Sequence, residues 1–135
     1  MAKPLTPALD AEQFAVSLDG NVTLRGYQGE VLDGTPLVLL HSINAAPSAM
    51  EIRPLFEHYR DKRPVMAPDL PGFGLSDRPA VSYSAVQYAR WIAEWLKDFN
   101  SPPDVVALSL TGEFVARAIL EQGTRIRSLT LISPT

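Results

Sequence analysis

Residues 104–112, DVVALSLTG, constrain the fold more than any other stretch of this chain. Five mostly apolar residues, Asp104 to Leu108, are too few for a helix and lack the polar alternation of a half-exposed strand, so they read as a strand covered on both faces. The run breaks at Ser109. Beyond it Phe114, Val115, Ala118 and Ile119 recur at helical spacing, and Gly123 supplies a stop. A doubly covered strand followed by a helix belongs to a mainly parallel sheet with helices on both faces.

The serine at this junction has two readings. Small residues two before and two after a serine let a strand turn sharply into a helix and lift the hydroxyl clear of the backbone, the nucleophile elbow whose usual form is G-x-S-x-G. Here those positions hold Ala107 and Thr111, with Gly112 one further on. Thr111 is β-branched, so the pattern predicts a tighter backbone approach there than glycine would give. In the other reading Ser109 caps the helix that follows, a place serine favours. On this stretch alone both stay open.

The rest of the chain alternates strand and helix. Residues 1–13 read as an irregular, proline-bearing arm, and residues 14–18 and 22–27 as an antiparallel pair joined by a two-residue Asp19-Gly20 link. Pro36 opens a continuous apolar run at Leu37–Leu40, expected as a central strand. Pro54 fits the first turn of a helix over residues 54–59 with Leu55, Phe56 and Tyr59 on its apolar face, while Ser48 with Glu51 offers an earlier capped start. Residues 65–67 form the next strand. Ser84 with Gln87 then marks a capping box for a helix that buries Tyr88, Ile92, Trp95, Leu96 and Phe99, its tryptophans being core residues. A last strand covers residues 129–132. The pattern predicts an α/β domain over residues 14–135, begun by an antiparallel hairpin and continued with right-handed crossovers.

Composition removes several classes of function. The 135 residues carry a net charge of -3 with scattered basic side chains, which offers no nucleic-acid or polybasic membrane footprint. The absence of cysteine rules out disulfides and thiolate metal sites, and His41 and His58 share no metal-binding spacing, so no metal and no cofactor are expected. No secretion signal or membrane span is read at the N-terminus, and a cytoplasmic location is expected. Asn21-Val22-Thr23 fits a glycosylation pattern and reads instead as a strand start. Gly72-x-Gly74 lacks the third glycine of a dinucleotide fingerprint, since Asp77 stands in its place.

Three motifs together resemble the α/β-hydrolase superfamily, over nearly the whole chain from about Phe14. LVLLHS at residues 37–42 is similar to the family's strand three and its His-Gly end, with Ser42 where glycine is usual. APDLPGFGLSDRP at residues 67–79 is similar to the loop after strand four and is the most specific match. The elbow at Ser109 follows in the right order and spacing. The resemblance implies a strand order of 1-2-4-3-5-6, a serine hydrolase with an esterase-like activity, and Ser109 as its nucleophile. It implies backbone oxyanion donors at Ile43 and Leu110, each such donor contributing about 3 kcal/mol to the transition state.

The same resemblance assigns His41 to shaping the oxyanion loop, since the family's triad runs serine, acid, histidine. It places Asp69 in a structural turn, and His58 reads as a solvated surface residue. The family's acid and histidine follow strands that this chain does not reach, so the 135 residues resemble the N-terminal half of a hydrolase core without cap or C-terminal strands. The chain alone is expected to be inactive, and to associate with itself or with a complementary C-terminal segment through the open edge of strand six. Two other enzyme activities fit similar elbows, a carbon–carbon bond hydrolase and a cofactor-free haloperoxidase. A small-ligand binding protein without turnover and a non-functional fragment complete the alternatives.

Overall fold

A computed structural model describes residues 6–44 and 48–135; residues 1–5 of the expected arm lie outside it. Among the described residues six strands form one sheet: β1 (Glu12–Leu18), β2 (Val22–Gln28), β3 (Leu37–Leu40), β4 (Val65–Asp69), β5 (Asp104–Leu108) and β6 (Ser128–Ile132). Their order is β1-β2-β4-β3-β5-β6, as the resemblance implies. β2 runs antiparallel to both neighbours, whereas β4, β3, β5 and β6 are mutually parallel.

The continuous apolar runs exist because the central strands are covered twice. Val38 and Leu40 of β3, with Val105 and Ala107 of β5, face a core built on α2 (Ala85–Leu96) and α3 (Thr111–Gln122). Leu37 and Leu39 face the opposite core, where a short 3-10 helix (Ala49–Ile52) leads into α1 (Arg53–Tyr59). Leu9 of the arm is buried in that second core, and the Ala8 N–H donates to the Tyr27 hydroxyl at 2.9 Å. Residues 8 and 9 of the arm therefore pack on the sheet rather than trailing from it.

α2 starts at its expected cap but ends at Leu96, so Phe99 of the expected stripe lies beyond it and is only partly buried. Ser84 Oγ accepts from the Gln87 N–H at 3.1 Å, and Tyr88, Ala89, Trp91, Ile92, Trp95 and Leu96 are buried. Phe14 stacks on Trp95 at 5.8 Å, which ties β1 to this helix. Truncating a tryptophan so buried costs about 3–5 kcal/mol. α3 ends as expected on Gly123, whose φ of 68° is left-handed.

Two local expectations are corrected. Leu18 pairs with Val22, so the hairpin loop is Asp19, Gly20 and Asn21 rather than a two-residue link. Gly20 and Asn21 both take positive φ, 76° and 59°, and asparagine's tolerance of that region lets the loop lengthen by one. The earlier helix start at Ser48 is real but forms the 3-10 turn, with Ser48 Oγ accepting from the Met50 N–H at 3.2 Å.

At the end of the sheet away from the carboxyl termini of the parallel strands, Asp104 gathers three donors: Arg63 Nη2 at 2.8 Å, Arg127 Nη1 at 2.7 Å and Ser128 Oγ at 2.6 Å. Burial opposes its ionisation, but the Ser128 hydroxyl and the two guanidiniums outweigh that and hold its carboxyl below the usual range. β5 and β6 are thereby locked at their starts.

Candidate active site

The segments that the sequence singles out meet at the carboxyl ends of the parallel strands, where open α/β sheets place their ligands. Residues 41–44 follow β3, residues 70–79 follow β4, and Ser109 follows β5.

Ser109 has a φ of 53°, in the left-handed region that a non-glycine residue enters at a cost of roughly 1–3 kcal/mol. Both of its peptide groups are held. Its N–H donates to the Ile132 carbonyl of β6 at 2.8 Å, and its carbonyl accepts from the Gly112 N–H at 3.1 Å. Among the described residues its Oγ makes no hydrogen bond. The N-cap of α3 is Leu110, with no side-chain cap bond, so Ser109 is not a helix cap. The turn presents an unengaged hydroxyl.

Thr111 departs from the usual glycine, and the expected crowding falls elsewhere. Its side chain is fully buried and Oγ1 donates to the His41 carbonyl at 2.6 Å, tying the elbow to the end of β3. The close approach is made one residue later: a Cβ on Gly112 would stand 2.7 Å from Leu131 Cδ2 of β6. A side chain at 112 would have to push aside the end of the half-exposed Leu131 side chain, whereas a β-branched residue fits at 111.

Leu110 follows Ser109 directly, and Ile43 lines a cavity with it. Among the described residues neither N–H donates a hydrogen bond. A small cavity of ≈ 240 Å³ joins Ile43, Ser42, Asn44 and Glu51 to Ser109. A larger one of ≈ 570 Å³ opens between Ile43 and Leu110 and is walled by Phe73, Tyr83, Tyr88 and Phe114. Tyr88 stacks on Phe114 at 5.0 Å, and its hydroxyl donates to the Pro71 carbonyl at 2.8 Å. Burial raises the Tyr88 pKa, which keeps the wall uncharged.

His41 is fully buried, and both ring nitrogens are engaged. Nε2 accepts from the Leu70 N–H at 2.9 Å, so Nδ1 carries the proton and donates to the Ser42 carbonyl at 2.7 Å. Burial lowers its pKa, and the ring is neutral. No lone pair remains to take a proton from Ser109. His58 is exposed on α1 against Tyr59, away from the elbow.

Asp69 is equally committed to structure. Oδ1 accepts from the Ala49 N–H at 2.8 Å and Oδ2 from the Leu75 N–H at 2.9 Å, joining the 3-10 helix to the loop after β4. A Cβ on Gly74 would stand 2.1 Å from Asp69 Cγ, which leaves that position to glycine. Glu51 is the residue that motif reading missed: it reads as a capping partner of Ser48, yet its carboxylate turns to Ser42.

A doubly wound sheet, a strained serine between β5 and its helix, and free amides on either side define the α/β-hydrolase architecture. A family model of the alpha/beta hydrolase fold matches residues 35–135, and the chain belongs to that family. It is 33% identical over 128 residues to the mouse (Mus musculus) 1-acylglycerol-3-phosphate O-acyltransferase ABHD5, covering 91% of this chain and 36% of that protein. It is 28% identical over 111 residues to a haloalkane dehalogenase of Mycobacterium marinum, covering 73% of this chain and 34% of that one. Among solved structures, Cfl2 from Burkholderia cenocepacia superposes with a TM-score of 0.78 at 26% identity, over 96% of this chain and 46% of that one. The chain thus spans about a third of the length of the curated relatives it matches. Among the described residues no helix is long and apolar enough to cross a membrane.

Proposed function

We propose that the protein carrying this chain is a serine hydrolase that cleaves an ester or related acyl bond through an acyl-enzyme, with Ser109 as nucleophile. The observation that carries the reading is the strained Ser109 turn, φ 53°, with its N–H and carbonyl held and its Oγ unengaged. Strain of this kind persists where the surroundings over-determine it, and it clusters at functional sites.

In the proposed reaction Ser109 Oγ attacks the acyl carbon, and the carbonyl π electrons move onto the oxygen. The free Ile43 and Leu110 N–H groups receive that oxyanion. A base removes the Oγ proton and returns it to the departing alkoxide as the C–O bond breaks; water then cleaves the acyl-enzyme by the same path. His41 is not that base, both of its nitrogens being bonded. The base and its carboxylate partner are assigned to parts of the whole protein outside these residues, in keeping with relatives more than twice as long. The apolar cavity of ≈ 570 Å³ between Ile43 and Leu110 suits an apolar acyl group.

A fluorophosphonate probe tests the reading directly. The whole protein is labelled on Ser109 and its Ser109→Ala variant is not. An unlabelled wild-type protein refutes the assignment and leaves ligand binding without turnover as the use of the site.

A further inference from the structure

The amide of Ile43 can serve an oxyanion only if it points at the acyl oxygen, and a peptide plane in a loop has one soft torsion on either side. Its peptide plane is shared with the Ser42 carbonyl. That carbonyl accepts from His41 Nδ1 at 2.7 Å, and in a trans peptide the Ile43 N–H points the opposite way. One contact leaves the plane free to swing about it.

The second anchor is Glu51. Its Oε1 accepts from the Ser42 N–H at 3.2 Å, and the Ser42 hydroxyl proton lies between Oε1 at 2.8 Å and Oε2 at 2.7 Å. Asn44 Nδ2 donates to the same Ser42 Oγ at 2.8 Å. Residues on both sides of Ile43 are therefore referred to one carboxylate. Glycine, usual at position 42 in the resemblance, could make only the backbone bond. Ser42 is buried and Glu51 sits on the 3-10 helix, itself fixed through Ala49 to Asp69. The chain of contacts ends on a buried carboxylate of β4.

We propose that Glu51 is a positioning residue: by accepting from both the N–H and the hydroxyl of Ser42, it sets the direction of the Ile43 N–H. The inference rests on the reading of Ser109 as nucleophile. Ile43 still possesses its amide in a Glu51 variant, so the loss is a fraction of the 10²–10³ that deleting a donor costs.

The experiment uses the whole protein, a p-nitrophenyl ester of an apolar acid, and the variants Glu51→Ala, Glu51→Gln and Ser42→Gly. Glu51→Ala lowers kcat about tenfold or more with KM within about threefold, because the oxyanion forms only in the transition state. Glu51→Gln retains an oxygen that can accept from Ser42 and stays within about threefold of wild type, and Ser42→Gly falls between the two. Amide exchange at Ser42 reads the same contact without turnover: it accelerates about tenfold in Glu51→Ala, the equivalent of one lost hydrogen bond, and not in Glu51→Gln. Unchanged kcat or unchanged Ser42 exchange in Glu51→Ala overturns the proposal, as does an equal loss in the Ala and Gln variants. Failure of the underlying reading appears separately, as a wild-type protein whose Ser109 takes no fluorophosphonate.

Discussion

Replacing Ser109 by glycine stabilises the protein, whereas replacing it by alanine does not. At φ 53° any residue with a Cβ is strained by about 1–2 kcal/mol. The backbone cannot escape the strain by rotating, because its N–H is held by Ile132 and its carbonyl by Gly112. Glycine removes the clash but loses roughly 0.5–1 kcal/mol more chain entropy on folding. The net gain of Ser109→Gly over Ser109→Ala is about 0.5–1 kcal/mol. Ser109 Oγ has no hydrogen bond to lose among the described residues, so the alanine variant stays within about 0.5 kcal/mol of wild type. Urea unfolding followed by tryptophan fluorescence reads the difference, since Trp91 and Trp95 are buried in α2. With a urea slope of about 2–3 kcal/mol per molar, the glycine midpoint lies about 0.2–0.5 M above that of alanine. Both variants lack the hydroxyl, so chemistry at the site does not separate them. An alanine midpoint equal to or above the glycine one refutes the claim that this turn stores strain.

Thr111→Val keeps the shape of a fully buried side chain and removes its bond to the His41 carbonyl; it lowers stability by about 1–3 kcal/mol, and an unchanged thermal midpoint contradicts that. His41 gives a pH signature. Its folded pKa lies below the unfolded value of about 6.5, so its stabilising share is complete above that pH and is lost as pH falls toward the folded pKa. His41→Gln, which can still accept from the Leu70 N–H, flattens the fall in unfolding free energy as pH drops below about 6.5; an unaltered slope shows that His41 is not the titrating group. The 135-residue polypeptide on its own is expected to associate, because among the described residues β6 pairs only with β5 and Leu131 and Ile132 are 45% and 38% exposed. Light scattering that finds a stable, monodisperse monomer refutes this.

The parts of the fold visible in the sequence are those whose cause is local. Leu37–Leu40 and Asp104–Leu108 read as doubly buried strands because both faces are apolar, and α2 read correctly because Ser84 and a periodic stripe mark its start and its inner face. The strand order came through the three motifs. The hairpin loop is one residue longer than its spacing suggests because Asn21, unlike most residues, accepts a positive φ, which no rule of spacing signals. The contacts that set the site were not legible at all. Thr111 reaches back seventy positions to His41, and Glu51 answers Ser42 rather than the nearby Ser48 that local capping rules suggest. Such pairings depend on which strand ends become neighbours, which only the assembled sheet decides.

The clasp around Asp69 bears on how this architecture can be recombined. One carboxylate holds the amides of Ala49 and Leu75, and Gly74 lies too close to it for any other residue. The two loops it joins both border the cavities beside Ser109, through Asn44 and Glu51 on one side and Phe73 and Arg78 on the other. A chimaera whose crossover falls between residues 49 and 69 pairs one parent's amide with the other parent's carboxylate and glycine. Transplanted as a block spanning both, the loops carry their own fastening with them; exchanged singly, they do not.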